Sequence, residues 1–266
     1  MEIKVNNTFF TGKFLIHLPS IDSTNNYAKE YIAKSSPIDG TVILADEQYA
    51  GRGQAGNQWL SEPNKNLTFS IIYNTSFLLA TEQFYLNMAV SLGIWSVVRG
   101  PWSMEGSQRL TTHESPQTTK IKWPNDILLN DKKIAGILIE NTISGMHLKY
   151  SVIGIGINVN QDNFPAELHA ISLKRLSGKE EDIQQLLSNL LASVEKYYML
   201  LRERKFDRLK NEYVENLYRY RVTSTFEEGD TVFEGKIIGI EETGGLLVET
   251  DSGIRKFGFR EIRFVK

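Results

Sequence analysis

A chain of 266 residues with 41% hydrophobic and 23% charged residues can bury a sizeable core, as one large domain or a core domain with a small appendage, and its composition does not suggest disorder. A formal net charge of -2 gives no global basic field for nucleic acid; 0 cysteines exclude a disulfide framework, a thiolate metal site and a cysteine nucleophile, and 4 scattered histidines argue against a histidine-rich metal centre. The start, M-E-I-K-V-N-N-T, has no apolar core behind positive charge, and no run of about 18 apolar residues occurs, so the expectation is a cytoplasmic protein with no membrane and no nucleic-acid partner.

Residues 14–18 read as a strand. The polar run that follows turns into a helix with Ser23 at its N-cap and Tyr27, Ala28, Tyr31 and Ile32 at helical spacing. Residues 41–45 form a strand that leads into a segment with no hydrophobic periodicity, Q-Y-A-G-R-G-Q-A-G-N-Q-W over residues 48–59. Residues 67–73 are the strand that leaves it, so this glycine-rich loop is held at both ends. A long apolar helix covers residues 82–98, and the polar stretch 100–119, with Pro101 and Pro116, is expected to be an exposed insertion. Three closely spaced strand regions come next: 120–123 with 127–129, then 134–140, then 150–157, with a hairpin around Asn130 and Asp131. Residues 180–216 are helical, with an amphipathic face running from Ile183 to Tyr198 that reads as packing surface. From residue 220 to 266 about five short strands broken by glycine turns predict a small antiparallel barrel, which divides the chain into domains 1–219 and 220–266.

Four patches carry chemistry. In the glycine loop, Gly51, Gly53 and Gly56 let backbone N–H groups approach a ligand, and the planar fork of Arg52 suits a phosphate or carboxylate; a mobile surface loop with a solvated arginine is the competing reading. Lys122, in K-W-P-N-D, stands just before the strand break made by Pro124 and reads either as a positioned cation or as a snorkelling surface lysine. Gly154 and Gly156 alternate with isoleucines in a central strand, so either something approaches the glycine face closely or the sheet bends there. Lys133 to Gly136 places a small-residue pair on a strand, which alone says little.

Taken together, S-T-N at 23–25, G-R-G at 51–53 with Trp59, K-W-P-N-D at 122–126, K-I-A-G-I at 133–137 and G-I-G-I-N at 154–158 resemble the biotin–protein ligase family over essentially the whole chain. The resemblance implies an α+β fold: a mixed sheet with helices like that of class II aminoacyl-tRNA synthetases, followed by a small SH3-like C-terminal β-barrel. It implies an ATP-dependent ligase that makes biotinyl-5′-adenylate and passes biotin to one lysine of a biotin carboxyl carrier protein, with Mg²⁺ accompanying ATP. By that resemblance Ser23, Thr24, Asn25, Gln48, Gly51, Arg52, Gly53, Lys122, Gly136 and Gly154 contact biotin. Arg52, Gln54, Trp59, Lys122, Asn125, Lys133 and Asn158 contact ATP or the adenylate. Lys122 and Arg52 are the catalytic cations, and Asp126 is a candidate for the metal.

The family's loop commonly carries further arginines, whereas Gln54 and Asn57 stand in those places here. Because S-T-N begins at residue 23, no N-terminal winged-helix domain is expected, and the chain reads as a monomer or homodimer. Two alternatives stay open: a lipoate–protein ligase with the same acyl-adenylate chemistry, and a non-catalytic biotin or adenylate sensor.

Overall fold

The computed structural model describes residues 5–100 and 118–265; residues 101–117, where the insertion was expected, lie outside them. In chain order the elements are β1 (Leu15–Leu18), α1 (Thr24–Lys34), β2 (Thr41–Ala45), β3 (Leu67–Asn74), α2 (Gln83–Val98), β4 (Thr119–Lys122), β5 (Asp126–Leu129), β6 (Lys132–Ser144), β7 (His147–Ile157), α3 (Leu173–Ser177), α4 (Ile183–Arg202), α5 (Phe206–Glu215), β8 (Thr223–Glu228), β9 (Thr231–Ile240), β10 (Leu246–Thr250), β11 (Gly253–Phe257) and β12 (Arg263–Phe264).

The first sheet has the order β1-β2-β3-β7-β6-β5-β4. Its β1–β2 pair is parallel and the other pairs are antiparallel, so the sheet is mixed. Strand alternation sends its two faces to different neighbours. Val42, Leu44, Leu67, Phe69, Ile71 and Tyr73 enter the main core with α2 and α4. Ile43 and Ile72 point the other way, into a small cluster with Ala28 of α1. Helix α2 is apolar almost all round because it is buried on nearly every side, between the sheet and α4 and α5. The second sheet, β11-β10-β9-β8-β12, is antiparallel and is the expected small C-terminal β domain.

Two readings of the sequence need adjustment. The helical stretch 180–216 is two helices, because Arg204 turns the chain in the left-handed region (φ 55°) and pairs with Glu82 at 2.6 Å. Strands β6 and β7 run longer than expected and meet at a turn whose Gly145 has φ 62°. Asn141, Thr142 and Ser144, beyond the expected end of the strand at residue 140, continue the ladder. The hairpin at Asn130 and Asp131 forms as read, both residues having positive φ (48° and 62°).

Candidate active site

The face of the first sheet that carries α1 is also the floor of a cavity. In register, Ser70 of β3 faces Gly154 of β7, and Gly154 faces Leu138 of β6; Thr68, Gly156 and Gly136 form the next such row. A Cβ on Gly154 would run into the Asn25 side-chain amide, and one on Gly156 would run into the Trp59 indole. The glycines therefore admit two of the chain's own side chains onto the sheet. Gly156→Ala should lift the Trp59 ring off the floor. The expected readout is stronger acrylamide quenching of tryptophan fluorescence with an unchanged far-UV spectrum; unchanged quenching would mean that the indole does not need the glycine.

One end of the cavity is polar and uncharged. Ser23, Thr24 and Asn25, at the start of α1, are all nearly fully buried (2–3% exposed). Ser23 is the N-cap as expected, yet its side chain makes no cap bond. Gln48 Oε1 accepts from the Thr24 N–H at 2.8 Å, the Thr24 and Ser70 hydroxyls lie 2.8 Å apart, and Ser70 donates to Asn25 Oδ1 at 2.6 Å. This cluster offers fixed donors and acceptors with no formal charge, the set that a buried neutral heterocycle requires.

The glycine loop folds over the floor. The Gly53 N–H donates to Asn57 O at 2.7 Å, the Trp59 N–H donates to Gly51 O at 2.9 Å, and a short 3₁₀ turn (Gln54–Gly56) forms the tip. Arg52 reaches back to the floor, where its guanidinium meets both oxygens of Glu140 at 3.1 Å and donates to Asn26 Oδ1 at 2.9 Å. Burial pushes the Glu140 carboxyl up, but hydrogen bonds from Asn25 and Lys29 and the charges of Lys29 and Arg52 outweigh it and hold it below the ordinary range.

At the other end stand Asn125, Asp126 and Lys133. Lys133 Nζ is 2.7 Å from Asp126 Oδ1 and 5.7 Å from the Trp59 ring centroid. Its stem crosses Gly136, where a Cβ would come within 3.1 Å of Lys133 Cε. Thirteen of the residues expected at the site thus line one cavity: Ser23, Thr24, Asn25, Gln48, Arg52, Gly53, Gln54, Trp59, Asn125, Asp126, Lys133, Gly136 and Gly154.

Three expected site residues do not line it. Lys122 lies opposite Asp126 in the ladder and so shares its face, but it stands one strand further out, on the edge strand β4. Its ammonium lies 5.4 Å from the Phe264 ring centroid in the C-terminal sheet, and Lys133 is the lysine that lines the cavity. Asn158 is buried and bonds to the backbone around Lys133: its Nδ2 donates to Lys133 O at 3.3 Å and its N–H to Ile134 O at 2.9 Å. Gly51 packs beneath Trp59, where a Cβ would strike the Trp59 carbonyl. Trp123 likewise turns from the cavity; it is 5% exposed and donates from Nε1 to Gly244 O at 2.9 Å, tying K-W-P-N-D to the C-terminal sheet.

The sequence reading left out Glu140 and Asn26, which hold Arg52, and did not place Gly156 among the site residues. Gly156 was within reach, since it lies two positions beyond Gly154 on the same strand face. Glu140 carries no local signal, because its partner Arg52 is 88 positions away. Among the described residues no group of three or more His, Asp or Glu is gathered as a metal set, and no helix is long and apolar enough to cross a membrane.

Residues 17–158 match the biotin/lipoate A/B protein ligase family, and residues 221–263 match the biotin protein ligase C terminal domain. Over 250 residues the chain is 35% identical to the bifunctional ligase/repressor BirA of Bacillus spizizenii, covering 92% of this chain and 72% of that protein. A biotin–[acetyl-CoA-carboxylase] ligase of Paracoccus denitrificans is 26% identical over 256 residues, covering 93% and 99% of the two chains. Biotin protein ligase from Aquifex aeolicus, solved in complex with biotin and ATP, superposes with a TM-score of 0.75 at 28% identity, covering 95% of this chain and 100% of that one. With its cavity built from the five sequence blocks and more than half of its length matched, the chain belongs to the biotin protein ligase family.

Proposed function

We infer that this protein is an ATP-dependent ligase that activates biotin as biotinyl-5′-adenylate and transfers the biotinyl group to a specific lysine of a biotin carboxyl carrier protein. The observation that carries this reading is a single cavity with an uncharged polar end and a charged end, where Lys133 stands beside Asp126, beneath one glycine loop that carries Arg52.

In the assignment we propose, Ser23, Thr24, Asn25 and Gln48 hold the ureido ring, while Gly154 and Gly136 keep the floor low. Arg52 and Lys133 flank the reacting carboxylate and α-phosphate, where negative charge gathers in the transition state and fixed cations stabilise it most. A biotin carboxylate oxygen bonds to the α-phosphorus as the bond to the bridging oxygen breaks, and pyrophosphate leaves with the electron pair. The acceptor lysine amine then attacks the acyl carbon, AMP departs and the amine proton passes to solvent. Trp59 walls the adenine side, with Asn125 and Gln54 beside the nucleotide. Mg²⁺, which takes one or two carboxylates together with substrate phosphates and waters, fits Asp126, a half-buried carboxylate on the cavity wall; when bound it neutralises phosphate charge.

Lys122, Gly51 and Asn158 act indirectly in this reading. Asn158 fixes the backbone that carries Lys133, Gly51 seats Trp59, and Lys122 faces the C-terminal sheet. Gln54 and Asn57 bring amides where arginines are common, so adenylate retention rests on the loop's own backbone bonds more than on its charge. Residues 1–219 carry the chemistry and 220–266 form a separate domain; the protein works in the cytoplasm as a monomer or homodimer without nucleic acid.

The deciding experiment combines biotin-dependent ATP–pyrophosphate exchange with transfer of labelled biotin to a purified carrier domain. Both are expected with biotin and neither with lipoate. Exchange supported by lipoate would make the protein a lipoate ligase, and binding without transfer would make it a sensor.

A further inference from the structure

The K-W-P-N-D turn runs from the helix layer to the cavity. On the helix side, Tyr213 of α5 is fully buried in the main core, edge-on to Phe84 of α2 with ring centroids 5.8 Å apart. On the other side, Asn125 and Asp126 line the cavity. The Pro124 carbonyl oxygen is the point of attachment: it accepts from the Tyr213 hydroxyl at 2.8 Å and from Asn87 Nδ2 of α2 at 2.7 Å. Both of its lone pairs are thus engaged by side chains from two helices. None of the ligand contacts assigned above accounts for these two donors. A carbonyl and the following N–H belong to one planar unit, so holding the Pro124 oxygen also sets the plane from which Asn125 departs. Asn125 in turn is bound to β6, where its backbone oxygen accepts from the Ile137 N–H at 3.1 Å and its Nδ2 donates to Ile137 O. Asp126 follows, with its carboxylate 2.7 Å from Lys133 Nζ.

We propose that Tyr213 is a positioning residue for the reaction: with Asn87 it clamps the Pro124 carbonyl and so fixes where Asn125 and Asp126 stand at the nucleotide end of the cavity. The clamp is independent of the ligand's identity, and the inference rests on the ligase reading only for the nucleotide. Burial, and then the charge of Asp126, push the Tyr213 phenol up, so the hydroxyl stays protonated and serves as a donor, not as an acid or base. Ser70, at the neutral polar end, stands on β3, whereas the turn lies at the start of β5, with β7 and β6 between them. The clamp therefore acts on one end of the site alone.

Tyr213→Phe tests this, because it keeps the ring against Phe84 and removes only the donor. In biotin-dependent ATP–pyrophosphate exchange the variant should lose about tenfold in kcat/KM for ATP, the scale of losing one outer hydrogen-bonding partner behind a ligand-holding group, with KM for biotin unchanged. In unliganded protein, hydrogen exchange of the Ile137 N–H, which is held by Asn125 O, should be about tenfold faster, with amides of β3 unchanged. Asn87→Ala removes the other donor from a half-buried position and should give the same pattern, so it decides the matter if Tyr213→Phe does not fold. A merely structural hydroxyl would lower the unfolding midpoint and leave the ATP dependence alone. In an active parent, an unchanged ATP dependence in the variants, or equal losses toward biotin and ATP, would overturn the proposal. If the parent shows no biotin-dependent exchange, the ligase reading falls, and hydrogen exchange at Ile137 alone decides whether Tyr213 fixes the turn.

Discussion

Replacing Lys133 with methionine is expected to slow biotin-dependent ATP–pyrophosphate exchange by about 10² to 10³-fold, the usual loss when one preorganised charge-stabilising donor is removed from a site. Methionine keeps the apolar stem that crosses Gly136 and packs beside Trp59, so the substitution removes charge more than shape. It also leaves the Asp126 carboxylate without its ammonium at 2.7 Å, which adds repulsion toward a phosphate. The partner experiment is Lys122→Met. Lys122 lies beside Phe264 in the C-terminal sheet, so the expected result is a lowered unfolding midpoint with exchange nearly intact. Exchange assays on both variants, with unfolding midpoints to confirm folding, decide between the two lysines. A dead Lys122→Met beside an active Lys133→Met would return the catalytic cation to K-W-P-N-D.

That pair of lysines shows where sequence reading stops. The motif was legible, and its residues Asn125 and Asp126 do line the cavity. Which lysine joins them depends on register, and the β5–β6 pairing shifts between Ile127 and Leu128, so that Asp126 comes opposite Gly136. No residue type announces such a shift. The glycine alternation at 154 and 156 was easier, because two glycines on one strand face require a close neighbour, although its identity as Asn25 and Trp59 needed the fold. Trp123 belongs to the same K-W-P-N-D motif, yet its indole is spent on the turn at Gly244, where it couples the cavity segment to the C-terminal sheet. The uncharged polar end was readable from S-T-N because a helix start supplies those side chains at fixed spacing. The Arg52–Glu140 pair was not readable, since only the folded sheet brings the two together.

Glu195→Ala is expected to lower the unfolding midpoint by about 6–12 °C while leaving the exchange rate of the folded protein unchanged at low temperature. The carboxylate is 2% exposed on α4 and accepts from three successive backbone groups, the N–H of Phe9 at 2.5 Å, of Phe10 at 3.0 Å and of Thr11 at 2.7 Å. Thr11 is fully buried, so its N–H has no water to turn to once the acceptor is gone. An orphaned buried donor costs about 1–3 kcal/mol, and with partial losses at the other two the total is about 3 kcal/mol. For a chain of this size that corresponds to about 2–4 °C per kcal/mol. The pH dependence identifies the cause. Burial pushes Glu195 up, but the N–H groups of Phe9, Thr11 and Phe10 outweigh it, so its folded value lies below the ordinary 4.5. A depressed carboxyl binds fewer protons folded than unfolded, so its stabilisation is complete above 4.5 and is lost as pH falls through the lower folded value. The gap between parent and Glu195→Ala midpoints should therefore be widest near neutrality and narrow on acidification. A gap that stayed constant with pH would mean that the loss comes from packing rather than from the charged acceptor. Exchange should survive because Tyr73, which meets Thr11 through a hydroxyl contact at 2.9 Å, lies on the core face of β3, while Ser70 on the same strand faces the cavity. Loosening the N-terminal segment thus weakens the side of the sheet away from the ligand before it disturbs the floor.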